Sequence, residues 1–258
     1  MRLGRAHGAL GVCLAAAWWL GMVEPSAAPA AAGKRVAAKP VATATVDEQP
    51  APPQVAGGPV RTDFDRLAIM AVQSDDARRV AAWVVAASDN GGRPYAVIDK
   101  PTASLLLFNG KGVLVGQAPV LLGIGIGDES TPGVGGKELD DIGPAERTTP
   151  AGRYVAKFGR AFGKQRVLWV DYANSVALHA VITTHKQERR VERLLSPTPE
   201  DNRISFGCIN IGTRFYANQL SPMFRSGGIV YITPDTKSLD DVFPRVRLLR
   251  YLGQAHAR

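Results

Sequence analysis

Residues 95–122 read YAVIDKPTASLLLFNGKGVLVGQAPVLL, and this stretch decides the fold class. Tyr95-Ala96-Val97-Ile98 is a short apolar run rich in β-forming residues, which marks a strand. Ser104-Leu105-Leu106-Leu107-Phe108 is a second such run. Asn109-Gly110-Lys111-Gly112 supplies turn chemistry, and Val113 to Leu122 returns as a third strand. Strand, turn and strand at this spacing predict an antiparallel sheet or barrel. The expected fold class is therefore mainly β, sandwich- or barrel-like, with a few peripheral helices.

The pattern continues downstream. Tyr154 to Phe158, Val167 to Val170, Val176-Ala177-Leu178 leading into His179, and Ile229 to Thr233 read as further strands, with a short helix around Thr213 to Leu220. Residues 123–150 are long, glycine-rich and irregular, which fits a rim or lid over a cleft. They lack the spacing of a phosphate loop. Asp128, Glu129, Asp140 and Asp141 lack calcium-loop spacing, so no metal site is expected and solvated acids are. Residues 185–203 form a charged insertion, helical by composition over 186–195.

Upstream, residues 1–30 read as a secretory signal: Arg2 and Arg5, an apolar core from Ala9 to Val23, then small residues around Ser26-Ala27-Ala28. An uncleaved membrane anchor is the alternative. Residues 31–61 are an Ala/Pro-rich linker with too little apolar surface to offset its ordering entropy. Residues 62–92 are helical. Leu67, Ile69 and Met70 are expected on one face, Ser74-Asp75-Asp76 starts a helix, and Asn90-Gly91-Gly92 stops it. A strand-rich region then spans 93–235, and 236–258 is a basic tail.

The formal net charge is +8, and only Arg2, Arg5 and Glu24 fall in the signal, so the excess stays with the mature part. That suits residence beside an anionic envelope polymer. Without aromatic-rich basic repeats, no nucleic-acid partner is expected. Of two cysteines, Cys13 leaves with the signal and Cys208 remains alone. A lone thiol in an oxidising compartment is either a buried small hydrophobe or a reactive group.

A thiol attacks only as thiolate, and an imidazole beside it can take its proton and later return it to a leaving amine. His185 opens the charged insertion and His256 lies in the tail, whereas His179 ends an apolar strand that holds its side chain rigidly. His179 is the candidate base, although a lone histidine there can be merely structural. Gly207 permits a tight bend, and the N–H groups of Gly207 and Cys208 are expected to form an oxyanion hole. Cys208 is also expected near a helix start, where the dipole favours thiolate.

His179 followed by Ser205-Phe206-Gly207-Cys208-Ile209-Asn210 resembles the motif of the L,D-transpeptidase catalytic domain, the YkuD family. The resemblance spans roughly residues 93–235 and includes Thr149-Pro150-Ala151-Gly152 and Gly228-Ile229-Val230-Tyr231-Ile232. It implies the YkuD catalytic fold and a cofactor-free acyl-enzyme mechanism. Cys208 would attack a peptidoglycan stem peptide before its terminal D-alanine, and His179 would act as base, then acid. Ser205 and Asn210 would shape the site. Trp169, Tyr172 and Phe206 would line the pocket, with core packing the alternative for Trp169 and Tyr172. The acceptor would be a second stem, a D-amino acid, an outer-membrane or wall-attached protein, or water. The implied location is the periplasm or cell envelope. Phe206 replaces the motif's second histidine, Ala180 replaces a glycine, and the spacer from His179 to Cys208 is long. A thiol hydrolase of wall peptides and a non-catalytic wall-binding scaffold remain alternatives.

Overall fold

The computed structural model describes residues 59–60, 62–161 and 165–255. The segment read as a signal (1–30), nearly all of that read as a linker (31–61), and His256 lie outside the described residues.

The described residues form nine strands: β1 (Tyr95–Asp99), β2 (Ser104–Phe108), β3 (Leu114–Gly123), β4 (Gly152–Arg160), β5 (Arg166–Asp171), β6 (Val176–Ala180), β7 (Arg203–Ser205), β8 (Ile209–Ile211) and β9 (Gly228–Ile232). Eight close into a barrel, in the circular order β1-β2-β3-β8-β6-β5-β4-β9, and β7 pairs with the end of β3. The fold is mainly β, with short helices around it. The Asn109 turn forms as read: Asn109 Oδ1 accepts from the N–H groups of Lys111 and Val113, closing the β2–β3 hairpin.

Period-two alternation sorts the side chains. Ala96, Ile98, Leu105, Leu107, Val120, Leu122, Leu168, Leu178, Ile209, Ile211 and Val230 fill the barrel. Their neighbours Tyr95, Val97, Leu106, Phe108, Ile229 and Tyr231 face outward, under the helix α2 (Asp75–Ala87). Both faces of β1 and β9 are covered, which is why each reads as an unbroken apolar run. Leu239, Phe243 and Val246 join this outer layer, so the C-terminal helical turns pack on the same face as α2.

Ser74 caps α2: its Oγ accepts from Ala77 N at 3.1 Å, and Asp99 at the end of β1 accepts from its Oγ and N at 2.7 and 2.8 Å. The helix stops at Ser88, which takes the left-handed conformation itself, two residues before the expected Asn90-Gly91-Gly92 stop begins. In α1 (Asp63–Ala71), Ile69 and Met70 pack inward, but Leu67 is 72% exposed and does not share their face. The insertion is not one continuous helix. Arg189, in the left-handed region at φ 49°, separates a 3-10 turn at Lys186–Glu188 from α3 (Arg190–Leu194). Among the described residues, no helix is long and apolar enough to cross a membrane.

Candidate active site

β6 and β8 run parallel, with His179 opposite Asn210 in the ladder. Leu178, Ile209 and Ile211 point into the barrel, so His179 and Asn210 point out together, with Ala177 and Cys208 on the same side. The register that fills the core thus builds the site. Cys208 lies 29 positions after His179 in sequence, yet its thiol is within hydrogen-bonding reach of the ring. The sulfur also approaches the Ser175 carbonyl at 3.7 Å. Cys208 keeps 7% of its surface exposed and His179 keeps 5%.

The imidazole is fixed at both nitrogens. Nδ1 lies 2.8 Å from the Ala180 carbonyl, which only accepts, so Nδ1 carries a proton. Nε2 lies 3.2 Å from Asn210 Nδ2, while Asn210 Oδ1 accepts from Arg190 at 2.7 Å. Burial disfavours the imidazolium. The neighbouring Cys208 thiolate and the Ala180 carbonyl outweigh that and raise the His179 pKa above its ordinary value, against the opposing pull of Arg190.

The turn that carries Cys208 joins β7 to β8, and both of these strands pair with β3. Ser205 Oγ donates to the Cys208 carbonyl at 2.6 Å and accepts from Gly207 N at 3.1 Å. Gly207 has φ +117°, and a Cβ there would stand 2.7 Å from the Thr148 carbonyl oxygen. Two expectations are corrected by this geometry. The Gly207 N–H is committed to Ser205, so it is not an idle oxyanion donor. Cys208 also leads into a strand rather than a helix, so no helix dipole bears on the thiol.

Thr149, fully buried, braces the turn: its Oγ1 donates to the Gly207 carbonyl at 2.9 Å and accepts from Gly123 N at 2.8 Å. Its own carbonyl accepts from Lys100 Nζ at 3.0 Å. Lys100 is buried, with Asp128 at 2.9 Å and Asp235 at 3.1 Å, and Asp235 also pairs with Arg203 of β7. Asp128 is therefore not a solvated acid. Burial works against its charge, but hydrogen bonds from the backbone of Asp235, Lys237 and Thr236 and from Lys100 hold its carboxyl well below the usual range. This cluster pins the 123–150 loop to the chain after β9. Among the described residues, no group of three or more His, Cys, Asp or Glu side chains is placed to hold a metal ion.

Around the sulfur, Val167 and Ala177 form a small apolar cluster with Cys208, and half-buried Trp169 packs against it. Trp169 fits over Gly159, where a Cβ would come within 2.6 Å of its ring. Tyr172 is 61% exposed and meets Trp169 edge-on at 5.1 Å, so Tyr172 is not a core residue, whereas Trp169 packs partly against a buried cluster. Phe206 carries the Arg147 guanidinium 3.8 Å above its ring, which latches the 123–150 loop to the nucleophile turn. His185 is exposed. The sequence reading missed Arg190, Thr149, Lys100 and Arg147. A charged run gives no sign of which cation turns inward, and the brace depends on contacts between segments far apart in the chain.

No protein-family model and no curated protein sequence matches this chain.

Proposed function

We propose that the chain is an exported cysteine L,D-transpeptidase acting on peptidoglycan stem peptides in the periplasm. The observation that carries this reading is the pairing of the Cys208 thiol with a buried imidazole whose Nδ1 proton is tied to a backbone carbonyl. That leaves Nε2 to exchange a proton with sulfur and substrate. The motif order His179, Ser205, Gly207, Cys208, Asn210 supports the substrate class, and the basic net charge supports an anionic polymer nearby.

In the first half-reaction, the Cys208 proton passes to His179 Nε2 and sulfur attacks the stem carbonyl that precedes the terminal D-alanine. The carbonyl–nitrogen bond breaks, His179 gives its proton to the departing amine, and a thioester remains. In the second, the amine of another stem attacks the thioester and loses a proton to His179, and sulfur leaves as thiolate. A 3→3 cross-link results. On this reading Trp169, which packs against the small cluster that holds Cys208 and meets Tyr172 edge-on, lines the pocket, with Phe206 under Arg147 in the nucleophile turn.

The test is incubation of the purified protein with a carbapenem and, separately, with a tetrapeptide stem, followed by intact mass and product analysis. A covalent adduct absent from Cys208→Ala, together with new cross-links, is expected. Freed peptides without cross-links would identify a thiol hydrolase. No adduct and no turnover would reject the enzymatic reading in favour of a wall-binding scaffold.

A further inference from the structure

We propose that Arg190, carried by the charged insertion, is a positioning residue: it holds the Asn210 carboxamide with its NH2 toward His179 and so keeps Nε2 of the resting imidazole as the proton-accepting atom. The inference rests on His179 acting as the base, but on no particular substrate.

A guanidinium has donors and no acceptor. Arg190 Nη1 stands 2.7 Å from Asn210 Oδ1, so the carboxamide oxygen must face it. The NH2 end must then face His179, where Nδ2 lies 3.2 Å from Nε2. Flipping the amide would set NH2 against the guanidinium and oxygen against the Nε2 lone pair, two repulsive contacts in place of two bonds. Asn210 is fully buried, so no solvent is at hand to relieve either contact. The order of donors therefore fixes the ring: Nδ1–H on Ala180, lone pair at Nε2.

Arg190 is itself held. Glu188 accepts from its Nε at 2.6 Å, and Arg193 bonds the carbonyls of Glu188 and Asp201 at 3.1 and 3.2 Å. Asn202 ties the end of the insertion to β3 through the Val120 carbonyl at 2.9 Å. The titratable and charged groups that bear on His179 are Cys208, from the turn before β8, and Arg190, with Glu188 as the counter-charge beyond it. Arg190 also bears on the ring directly through its charge, with Glu188 as its counter-charge, and an Asn210→Ala background separates that field from the amide orientation.

When Nε2 takes the thiol proton, the new N–H meets an NH2 group that cannot accept it. The imidazolium is a stronger acid for that reason and passes the proton on to the leaving amine. Without Arg190, Asn210 can turn its oxygen to the protonated ring and stabilise it.

The test uses the full chain with Cys208→Ser, so that the sulfur does not titrate with the ring, and follows the His179 C2 proton by NMR. Arg190→Gln is expected to raise the His179 midpoint by about one pH unit, tenfold in proton affinity. In an Asn210→Ala background the same substitution is expected to move the midpoint by a small fraction of that. No rise, or an equal rise in both backgrounds, would overturn the proposal, the second because it would leave only a direct field effect. Should Asn210→Ala not fold, the contact between the Asn210 side-chain NH2 protons and the His179 ring protons replaces it. That contact is expected in the parent and lost in Arg190→Gln, and its persistence would overturn the proposal. A failed carbapenem reaction would reject the transpeptidase reading without touching this result.

Discussion

Replacing Lys100 with Met removes an ammonium from a dry pocket and leaves a side chain of similar length. Two carboxylates lose their shared cation, and the carbonyls of Gly127 and Thr149 lose a donor at 2.7 and 3.0 Å. Removing one partner of a buried pair costs about 3–5 kcal/mol. Asp128 keeps backbone N–H groups from Asp235, Thr236 and Lys237, and Asp235 keeps Arg203. These residual donors put the loss at the lower end, about 3 kcal/mol. Urea unfolding followed by tryptophan fluorescence measures it, with a drop in Tm of about 2–4 °C per kcal/mol for a chain of this size. The sign with pH is also fixed. The Asp128 pKa is depressed in the folded protein, so its contribution is complete above the unfolded value of about 3.9 and is lost as pH falls through the lower folded value. Without Lys100 that folded pKa rises, so the deficit of the variant is largest near neutrality and narrows on acidification. A loss under about 1 kcal/mol, the size of one ordinary hydrogen bond, would refute the reasoning, as would a deficit that does not change with pH.

Gly207→Ala puts a Cβ 2.7 Å from the Thr148 carbonyl at a φ of +117°, and it is expected to abolish acylation of Cys208 while far-UV circular dichroism is retained. Thr149→Val leaves the Gly207 carbonyl and the Gly123 N–H without their partner, at about 1–3 kcal/mol each; urea unfolding checks this, and Thr149→Ser is expected to restore most of the loss. His179→Gln removes the group that takes the thiol proton. The pH midpoint for alkylation of Cys208 by iodoacetamide is then expected to rise, and an unchanged midpoint would exclude His179 as the base.

The barrel was legible because its strands announce themselves locally. The Asn109 turn and the alternation from Leu105 to Leu122 are properties of neighbouring residues, and the hairpin forms where they place it. Cys208 and His179 stood out as a candidate pair because few other residue types offer a nucleophile and a base, and the fold does bring them together. What surrounds them was not. Asp128 looks like any loop acid until Lys100 and the 235–237 backbone enclose it. Arg190 is one cation among several in its run, and only the fold turns it toward Asn210. Leu67 shows the converse error: helical spacing placed it with Met70, but it stays 72% exposed.

A closed ring of strands has no ends, so most backbone amides of this sheet are secured on two sides. β7 stands apart: three residues held to one end of β3, and it leads straight into Cys208. The sulfur therefore hangs at the join between a short outlying rung and the continuous hoop, and side chains rather than a second neighbouring strand secure that rung: Arg203 to Asp235, and Ser205 to the Cys208 carbonyl.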